Sequence, residues 1–336
     1  AFAVEGVRIK DGQVSFSIKV DPARGEALEP MRKKATEIVE SLPGVSNVSV
    51  VLTAEKRSGA QTQGPQSNQK PVSADKPRND QTATLMIPGC KSIIAVASGK
   101  GGVGKTTCSV NLACSLAQSG LSVGLMDCDI YGPCVPLMMG IREKPEISSA
   151  QKMIPLTSHG VKLMSMGFLM PGDEPVIWRG PMLMRTIQQF VMDVDWGKLD
   201  ILLVDLPPGT GDAQLSLCQT VPLDGGVIVT TPQEASLGVV RKGIGMFEKV
   251  NVPILGIVEN MSYFTAPNGD RVEIFGHGGG AKEAQNQGTT FLGEIPIFVE
   301  IREGGDSGVP VVVHDQESTP ALAFSNLANK LREVLL

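Results

Sequence analysis

The sequence predicts an α/β protein in which a small α+β domain precedes a doubly wound parallel sheet. Short aliphatic runs, including Ile93–Ala97, Val123–Met126 and Ile201–Val204, end in glycine-rich turns and alternate with helical patterns. Apolar residues make up 42% of the 336 residues, and only 4% are aromatic. This composition is typical of a sizeable core built from aliphatic strands that are covered on both faces.

Residues 1–55 have the pattern of the small α+β domain. Two alternating strands, Val4–Lys10 and Gln13–Val20, are joined by Asp11-Gly12, a sequence that favours a hairpin turn. Apolar residues at helical spacing predict a helix from about Leu28 to Leu42, and a third strand follows over Val45–Leu52. A domain of this size is marginally stable alone. We therefore expect it to rely on the larger domain or to be an incomplete form of its fold.

Residues 56–84 are rich in Gln, Ser, Gly and Pro and nearly lack large apolar side chains, which predicts a flexible linker. The main domain is then predicted over residues 85–336. The net charge of −5 argues against nucleic acid as a partner, and no apolar run reaches the ~18 residues that span a bilayer. Six cysteines in a chain of this length do not form a disulfide scaffold. We expect a cytoplasmic protein, with an organellar stroma or matrix left open.

The segment from Gly99 to Thr106 fits the phosphate-loop pattern G-x-x-x-x-G-K-[ST] between a predicted strand and a predicted helix. In such a loop, backbone N–H groups surround phosphate oxygens, Lys105 reaches the β and γ phosphates, and the Thr106 hydroxyl ligates Mg²⁺. The predicted nucleotide-binding residues are Gly99, Gly101, Gly102, Val103, Gly104, Lys105, Thr106 and Thr107.

Carboxylates stand at the ends of two further strands. Ile201–Val204 runs into Asp205, which is predicted to hold Mg²⁺ through water. Val123–Met126 runs into Asp127 and Asp129, which lie two residues apart. One of these two carboxylates is expected to orient or deprotonate the attacking water, because parallel strands end at one edge of the sheet.

A second lysine, Lys100, stands inside the loop in the sequence K-G-G-V-G-K-T-T. This loop resembles that of the deviant Walker A ATPases, the class that includes MinD, ParA and the nitrogenase iron protein. The resemblance implies a homodimer in which Lys100 reaches the nucleotide of the partner. There it would neutralise charge that develops on the transferred phosphoryl group.

Four segments resemble the Mrp/ApbC family of ATPases, which bind, carry and transfer iron–sulfur clusters: Asp127–Pro133, Trp178–Met182, Asp205–Asp212 and Val258–Ser262. The resemblance implies a P-loop NTPase domain that hydrolyses ATP and serves iron–sulfur client or scaffold proteins. It assigns catalysis to Lys100, Lys105 and Asp129, with Asp127 as the alternative to Asp129. It also implies that Asn260 recognises adenine, and that residues 1–55 resemble a small iron–sulfur-assembly domain.

The sequence departs from this family at the expected cluster site. The family commonly carries a C-x-x-C pair after the Val258–Ser262 segment, whereas Tyr263–Gly269 contains no cysteine. Cys128 and Cys134, which flank the loop beside the nucleotide, are the remaining candidate cluster ligands, and small buried hydrophobic residues are the alternative interpretation.

A different class of function stays open at this stage. A MinD- or ParA-like switch would bind a membrane, DNA or a protein without any cluster. The final helix, predicted over Ala321–Leu336, carries only two basic residues. This composition predicts a helix that docks on the fold rather than a membrane anchor.

Overall fold

In the computed structural model, residues 3–10, 13–20, 29–40, 42, 47–54, 86–169 and 180–335 are described. The chain divides into two compact units, Ala1–Arg78 and Asn79–Leu336. The predicted linker, the Asp11-Gly12 turn and Trp178 lie outside the described residues.

The first unit is a three-stranded sheet with one helix. Strand β1 (Ala3–Lys10) pairs antiparallel with β2 (Gln13–Val20), which pairs parallel with β3 (Asn47–Ala54). Helix α1 (Glu29–Glu40) makes the crossover between the two parallel strands. Val14, Val48 and Val50 are buried. The order of elements agrees with the sequence prediction.

The second unit alternates strands and helices along its length. Its elements are β4 (Cys90–Ser98), α2 (Lys105–Gln118), β5 (Val123–Asp127), α3 (Val135–Met138), β6 (Leu156–Ser158), β7 (Val161–Ser165), α4 (Gly180–Met192), β8 (Leu199–Asp205), α5 (Asp212–Thr220), β9 (Gly225–Thr230), α6 (Glu234–Lys249), β10 (Ile254–Thr265), β11 (Arg271–Val272), α7 (Gly279–Asn286), β12 (Phe291–Ile297), α8 (Val299–Ser307), α9 (Val311–His314) and α10 (Thr319–Leu335).

These strands form one nine-stranded, mostly parallel sheet. The order is β11-β10-β9-β4-β8-β5-β7-β6, and β12 also pairs with β10. Strand β4 lies at the centre, parallel to both β8 and β9. Within this sheet, only the short pairs β6–β7 and β10–β11 are antiparallel among its described strands. The predicted doubly wound parallel sheet is therefore confirmed, and its central strands end at one edge.

The core is aliphatic, as the composition predicts. Ile94, Ala95 and Val96 of β4 are fully buried, because helices cover both faces of the central sheet. Helix α10 buries Phe324, Leu327 and Leu331 and packs against α2 and β12. The final helix therefore docks on the fold as predicted. Among the described residues, no helix is long and apolar enough to cross a membrane.

Strand β7 is an element that the pattern of aliphatic runs does not indicate. Its sequence, Val161–Ser165, is interrupted by Lys162. The structure accommodates this lysine because its Nζ donates a hydrogen bond of 2.6 Å to the backbone oxygen of Trp196. The aliphatic stem packs while the charged head finds an acceptor, so a charged residue occupies a strand of the sheet interior.

Candidate functional site

The phosphate loop joins the end of β4 to the start of α2. Gly102 and Gly104 have φ angles of +79° and +80°, the left-handed region that favours glycine. A Cβ on Gly104 would lie 2.2 Å from Asn260 Nδ2, so a larger residue there would displace the Asn260 side chain. A Cβ on Gly101 or Gly102 would meet no atom within 4 Å. The loop thus leaves an open cradle lined by backbone, which suits phosphate oxygens.

Asp205, at the end of β8, is the centre of a hydrogen-bond network with the first turns of α2. Its Oδ2 accepts bonds from Lys105 Nζ at 2.6 Å and from Thr106 Oγ1 at 2.7 Å. Its Oδ1 accepts from Ser109 Oγ at 2.5 Å. Lys105 and Asp205 are both buried, so little water screens this ion pair. The hydroxyl and carboxylate oxygens of Thr106 and Asp205 fit Mg²⁺, which prefers oxygen ligands.

Strand register explains why the carboxylates meet. Asp205 of β8 lies opposite Asp127 of β5 on one side and opposite Val96 of β4 on the other. Three parallel strands thus end together beside the phosphate loop. The loop, Asp205 and Asp127 are brought to one edge of the sheet, as the sequence indicates.

Asp127 is fully buried and both of its oxygens are engaged. Oδ1 accepts from the backbone N–H of Asp129 at 3.1 Å, and Oδ2 accepts from Ser165 Oγ at 2.7 Å. Burial, with a further contribution from the negative charge of Asp205, raises the pKa of Asp127 to about 7. Because it is buried and both of its oxygens accept hydrogen bonds from the protein, the Asp127 carboxyl group is not placed to contact water directly.

Asp129 lies at the start of the following loop and is 8% exposed. Its Oδ1 accepts hydrogen bonds from the backbone N–H groups of Tyr131 and Gly132, at 3.1 and 3.3 Å. Oδ2 accepts no hydrogen bond from the part of the chain that the structure describes. This loop therefore fixes the carboxylate through one oxygen and leaves the other for a further partner.

Lys100 is held by its own chain. Its Nζ donates to Oε1 of Gln233, the residue before α6, at 3.1 Å. Gly99, beside it, packs against Val239 of α6, where a Cβ would lie 2.7 Å from the valine side chain. The first half of the phosphate loop thus rests on the start of α6.

A cavity of about 650 Å³ opens beside the second half of the loop. Gly104, Thr107 and Asn260 line it on the loop side. Its remaining wall is mostly apolar and includes Ile274, Phe275, Pro296 and Phe298. Asn260 Nδ2 also donates to the backbone oxygen of Val103 at 2.8 Å. An apolar cavity with one amide where it adjoins the phosphate loop has the character of a site for a purine base.

The two candidate cluster cysteines differ in accessibility. Cys128 is fully buried, and its burial raises its pKa well above the ordinary value. Cys134 is exposed, and its Sγ donates to the backbone oxygen of Gly132 at 3.0 Å. Burial also raises the pKa of Cys134. The two thiols therefore differ mainly in accessibility, which Cys134 has and Cys128 lacks. Within the described ranges, no three His, Cys, Asp or Glu side chains are grouped to hold a metal ion.

Three residues that contact the predicted site residues are not predicted from the sequence: Ser109, Ser165 and Gln233. Ser109 stands one helical turn after Lys105, and this i+4 spacing is the signal that could have indicated it. Ser165 and Gln233 carry no such local signal, because they approach Asp127 and Lys100 from elements 38 and 133 residues away in sequence.

Both parts of the chain match known protein families. A model described as ParA, the NUBPL iron-transfer P-loop NTPase, matches residues 89–332. The chain belongs to this NUBPL-type P-loop NTPase family. A second model, described as an iron–sulfur cluster assembly protein, matches residues 1–50.

Individual members of the NUBPL-type family resemble the chain over most of its length. An iron–sulfur cluster carrier protein of Synechocystis is 45% identical over 334 residues, covering 98% of this chain and 89% of its own. The iron–sulfur cluster transfer protein NUBPL of Dictyostelium discoideum is 49% identical and covers 76% of this chain and 80% of its own. The predicted resemblance to cluster-carrier ATPases is confirmed.

Solved structures agree on the fold. A nucleotide-binding protein of Archaeoglobus fulgidus in complex with ADP is 40% identical, with a TM-score of 0.59 over 66% of this chain and 87% of its own. The cell division ATPase MinD of Pyrococcus furiosus is 24% identical, with a TM-score of 0.56 over 72% of this chain and 99% of its own. The second likeness concerns the fold alone.

Proposed function

We propose that this protein is an ATP-hydrolysing carrier that transfers iron–sulfur clusters to client proteins. The observation that carries the nucleotide half is the convergence of Lys105, Thr106 and Ser109 on Asp205 beside an open glycine cradle. The cluster half is supported by relatives at 42–51% identity that are named as cluster carrier or transfer proteins or as an iron–sulfur protein required for NADH dehydrogenase.

The phosphates of ATP would lie on the backbone N–H groups of the loop, with Lys105 at the β and γ phosphates. Thr106 and Asp205 would hold Mg²⁺, which neutralises charge on the phosphate oxygens when bound. The adenine would enter the cavity beside Asn260 and contact its apolar wall. This placement follows from the loop and the cavity sharing Gly104 and Thr107.

Asp129 is the carboxylate that we assign to the attacking water. It is 8% exposed, and one of its oxygens accepts no hydrogen bond from the described residues, whereas both oxygens of Asp127 are engaged within the protein. Water attacks the γ phosphorus, the bond to the β–γ bridging oxygen breaks, and the water proton passes through Asp129 to the phosphate product. Asp127 instead positions Asp129, because its Oδ1 accepts a hydrogen bond from the backbone N–H of Asp129.

Two copies would act together. Lys100 would leave Gln233 and reach the γ phosphate of the partner, where its charge stabilises the transition state. Binding of ATP would close the dimer and hydrolysis would reopen it. The cluster is cargo in this scheme, taken up by the dimer and released to a client when the dimer reopens.

The test is anaerobic loading with iron and sulfide, followed by transfer to the apo form of an enzyme whose activity requires a [4Fe–4S] cluster. We expect ATP hydrolysis and ATP-dependent activation of the acceptor. Lys105→Ala should reduce hydrolysis at least ~100-fold, because it removes the charge at the transferred phosphoryl group. Lys330→Ala, at an exposed position of α10, is the matched lysine control and should change neither readout.

Two results would count against the proposal separately. Hydrolysis that is absent in the wild type, or unaffected by Lys105→Ala, would remove the nucleotide half. Loaded protein that contains no acid-labile sulfide and activates no acceptor would remove the cluster half. Cys134→Ser and Cys128→Ser, loaded in parallel, show whether either thiol holds the cargo.

A further inference from the structure

Glu259 is a fully buried acidic residue that the scheme above does not use. It stands in β10 directly before Asn260, and its side chain has no exposed surface. Burying a carboxyl group is costly unless hydrogen-bond donors satisfy it. Ser262 Oγ donates to its Oε1 at 2.6 Å, and the backbone N–H of Gly280 donates to its Oε2 at 2.5 Å.

The bond to Ser262 spans an irregular stretch of β10 at the wall of the cavity, where the pairing with β12 shifts register. The two residues between Glu259 and Ser262 are Asn260 and Met261, and both line the cavity. Met261 has a φ of +55°, a left-handed conformation that is uncommon for residues other than glycine. Such a conformation persists only where surrounding contacts enforce it, and the Glu259–Ser262 bond spans it.

The bond to Gly280 connects this stretch of β10 to the start of α7. Gly280 lies in the first turn of α7, whose N-cap, Gly278, supplies no side-chain hydrogen bond. Glu259 Oε2 therefore satisfies a backbone donor at a helix start that lacks its own cap. The segment that leads into this helix contributes Ile274 and Phe275 to the cavity.

Packing at Gly280 shows how close this connection is. A Cβ on Gly280 would lie 2.9 Å from the Cβ of Glu259, closer than side-chain carbons approach in proteins. Glycine at this position therefore allows Glu259 to approach the helix start. One side chain thus contacts both the stretch of β10 that carries Asn260 and the start of α7, which follows the segment with Ile274 and Phe275.

We propose that Glu259 is a positioning residue that sets the shape of the base end of the nucleotide cavity and thereby the choice of base. The inference rests on the proposed function, because it takes the cavity to hold the base of ATP. Glu259 touches none of the phosphate-loop residues through a side-chain hydrogen bond in the described chain. Its own hydrogen bonds lie on the cavity wall and at the start of α7, and the loop is reached only through the bond from Asn260 to Val103. We therefore assign Glu259 to recognition of the base.

The experiment compares the affinities of ATP, GTP and inorganic tripolyphosphate, which occupies the phosphate loop without a base. Glu259→Ala should weaken ATP binding about tenfold and move the ratio of ATP to GTP affinity toward one. Tripolyphosphate affinity should stay within about twofold of the wild type, because the loop is unchanged. Glu259→Gln keeps an acceptor for Gly280 and a donor for Ser262, and should bind close to wild type.

Glu283 supplies a matched control on α7, the helix that Glu259 contacts through Gly280. It is also a buried acid with two partners, Arg241 at 2.9 Å and Gln287 at 2.9 Å, and neither lines the cavity. Glu283→Ala should lower stability without changing the ATP to GTP ratio. Should Glu259→Ala fail to fold, Ser262→Ala removes one of the two bonds and should shift the ratio in the same direction by a smaller factor.

The outcomes separate the two proposals. If Glu259→Ala weakens ATP and tripolyphosphate equally, or changes neither, the positioning role is wrong while the proposed function stands. If the wild type binds no nucleotide, the proposed function fails and this inference fails with it.

Discussion

Ser109 supports the proposed metal and phosphate end of the site without being part of the phosphate-loop pattern. Its hydroxyl donates to Asp205, and it also lies 3.1 Å from the backbone oxygen of Lys105 one turn earlier. The carboxylate is therefore held from one side by the lysine and threonine and from the other by this serine. A single helix face positions Asp205, which explains how the strand and the helix keep one relative placement.

We expect Ser109→Ala to lower the free energy of unfolding by about 1–2 kcal/mol, because a buried charged acceptor loses a donor. Nucleotide affinity measured with Mg²⁺ should fall more than affinity measured in EDTA, since Asp205 is the proposed metal ligand. Denaturant unfolding and titration calorimetry provide the two measurements.

The same helix offers a close control. Ser115 is also buried, but its hydroxyl has no hydrogen-bond partner among the described residues. Ser115→Ala should be neutral or slightly stabilising, because it removes an unsatisfied polar group. Equal losses in both variants would mean that the Ser109 hydroxyl contributes only packing.

At the scale of elements, the side of the sheet opposite the site is tied together by Asp200 at the start of β8. Its Oδ1 accepts from Lys91 of β4 at 2.7 Å, and its Oδ2 accepts from the backbone N–H of Ser122, just before β5, at 2.8 Å. The hydrogen bond from Lys91, followed by that from Ser122, lowers the pKa of Asp200. One side chain thus joins the beginnings of the three strands that end at the phosphate loop.

Because the pKa of Asp200 is lowered in the folded state, its contacts stabilise the protein more at neutral than at acidic pH. The stabilisation is present above the ordinary pKa of an aspartate and is lost as the pH falls through the lower pKa of the folded state. Asp200→Asn should lower the melting temperature by about 2 °C at pH 7, the order expected of a partly exposed ion pair. The difference from wild type should shrink as the pH is lowered.

Thermal unfolding of both proteins between neutral and acidic pH provides the measurement. Asp195→Asn is the control, because Asp195 is exposed and makes no side-chain ion pair within the described ranges. A destabilisation by Asp200→Asn that is the same at every pH would contradict an electrostatic role.

What the sequence can predict depends on how local each signal is. The phosphate loop and the Asp205 strand end are read from contiguous residues, and the doubly wound sheet follows from the order of aliphatic runs. The contact of Glu259 with Gly280 and that of Lys100 with Gln233 bridge 21 and 133 residues. No spacing rule reports such contacts, because they depend on how strand ends and helix starts meet after folding.

At the scale of the whole molecule, the position of Lys100 bears on how two copies cooperate. Within one chain it rests on Gln233, at the start of α6. A lysine that acts on the partner's nucleotide must exchange this acceptor for the γ phosphate. The proposal therefore requires that a site lacking its own Lys100 still works when the other copy supplies one.

Mixing two inactive variants tests this requirement. Lys100→Ala and Asp129→Asn are each expected to be inactive as homodimers. In a mixed dimer, the Lys100→Ala copy keeps its own Asp129 and receives Lys100 from its partner, so one of the two sites is complete. Random exchange at equal concentrations makes about half of the dimers mixed, and ATP hydrolysis should recover to about a quarter of the wild-type rate.

Mixing Lys100→Ala with the double variant Lys100→Ala/Asp129→Asn is the control, because no copy then supplies the lysine and no activity should return. If the first mixture also stays inactive although size-exclusion chromatography with ATP shows dimers, Lys100 acts on the nucleotide of its own chain. The contact with Gln233 would then be the arrangement from which it reaches its own γ phosphate, and dimerisation would have to serve the cargo rather than the hydrolysis.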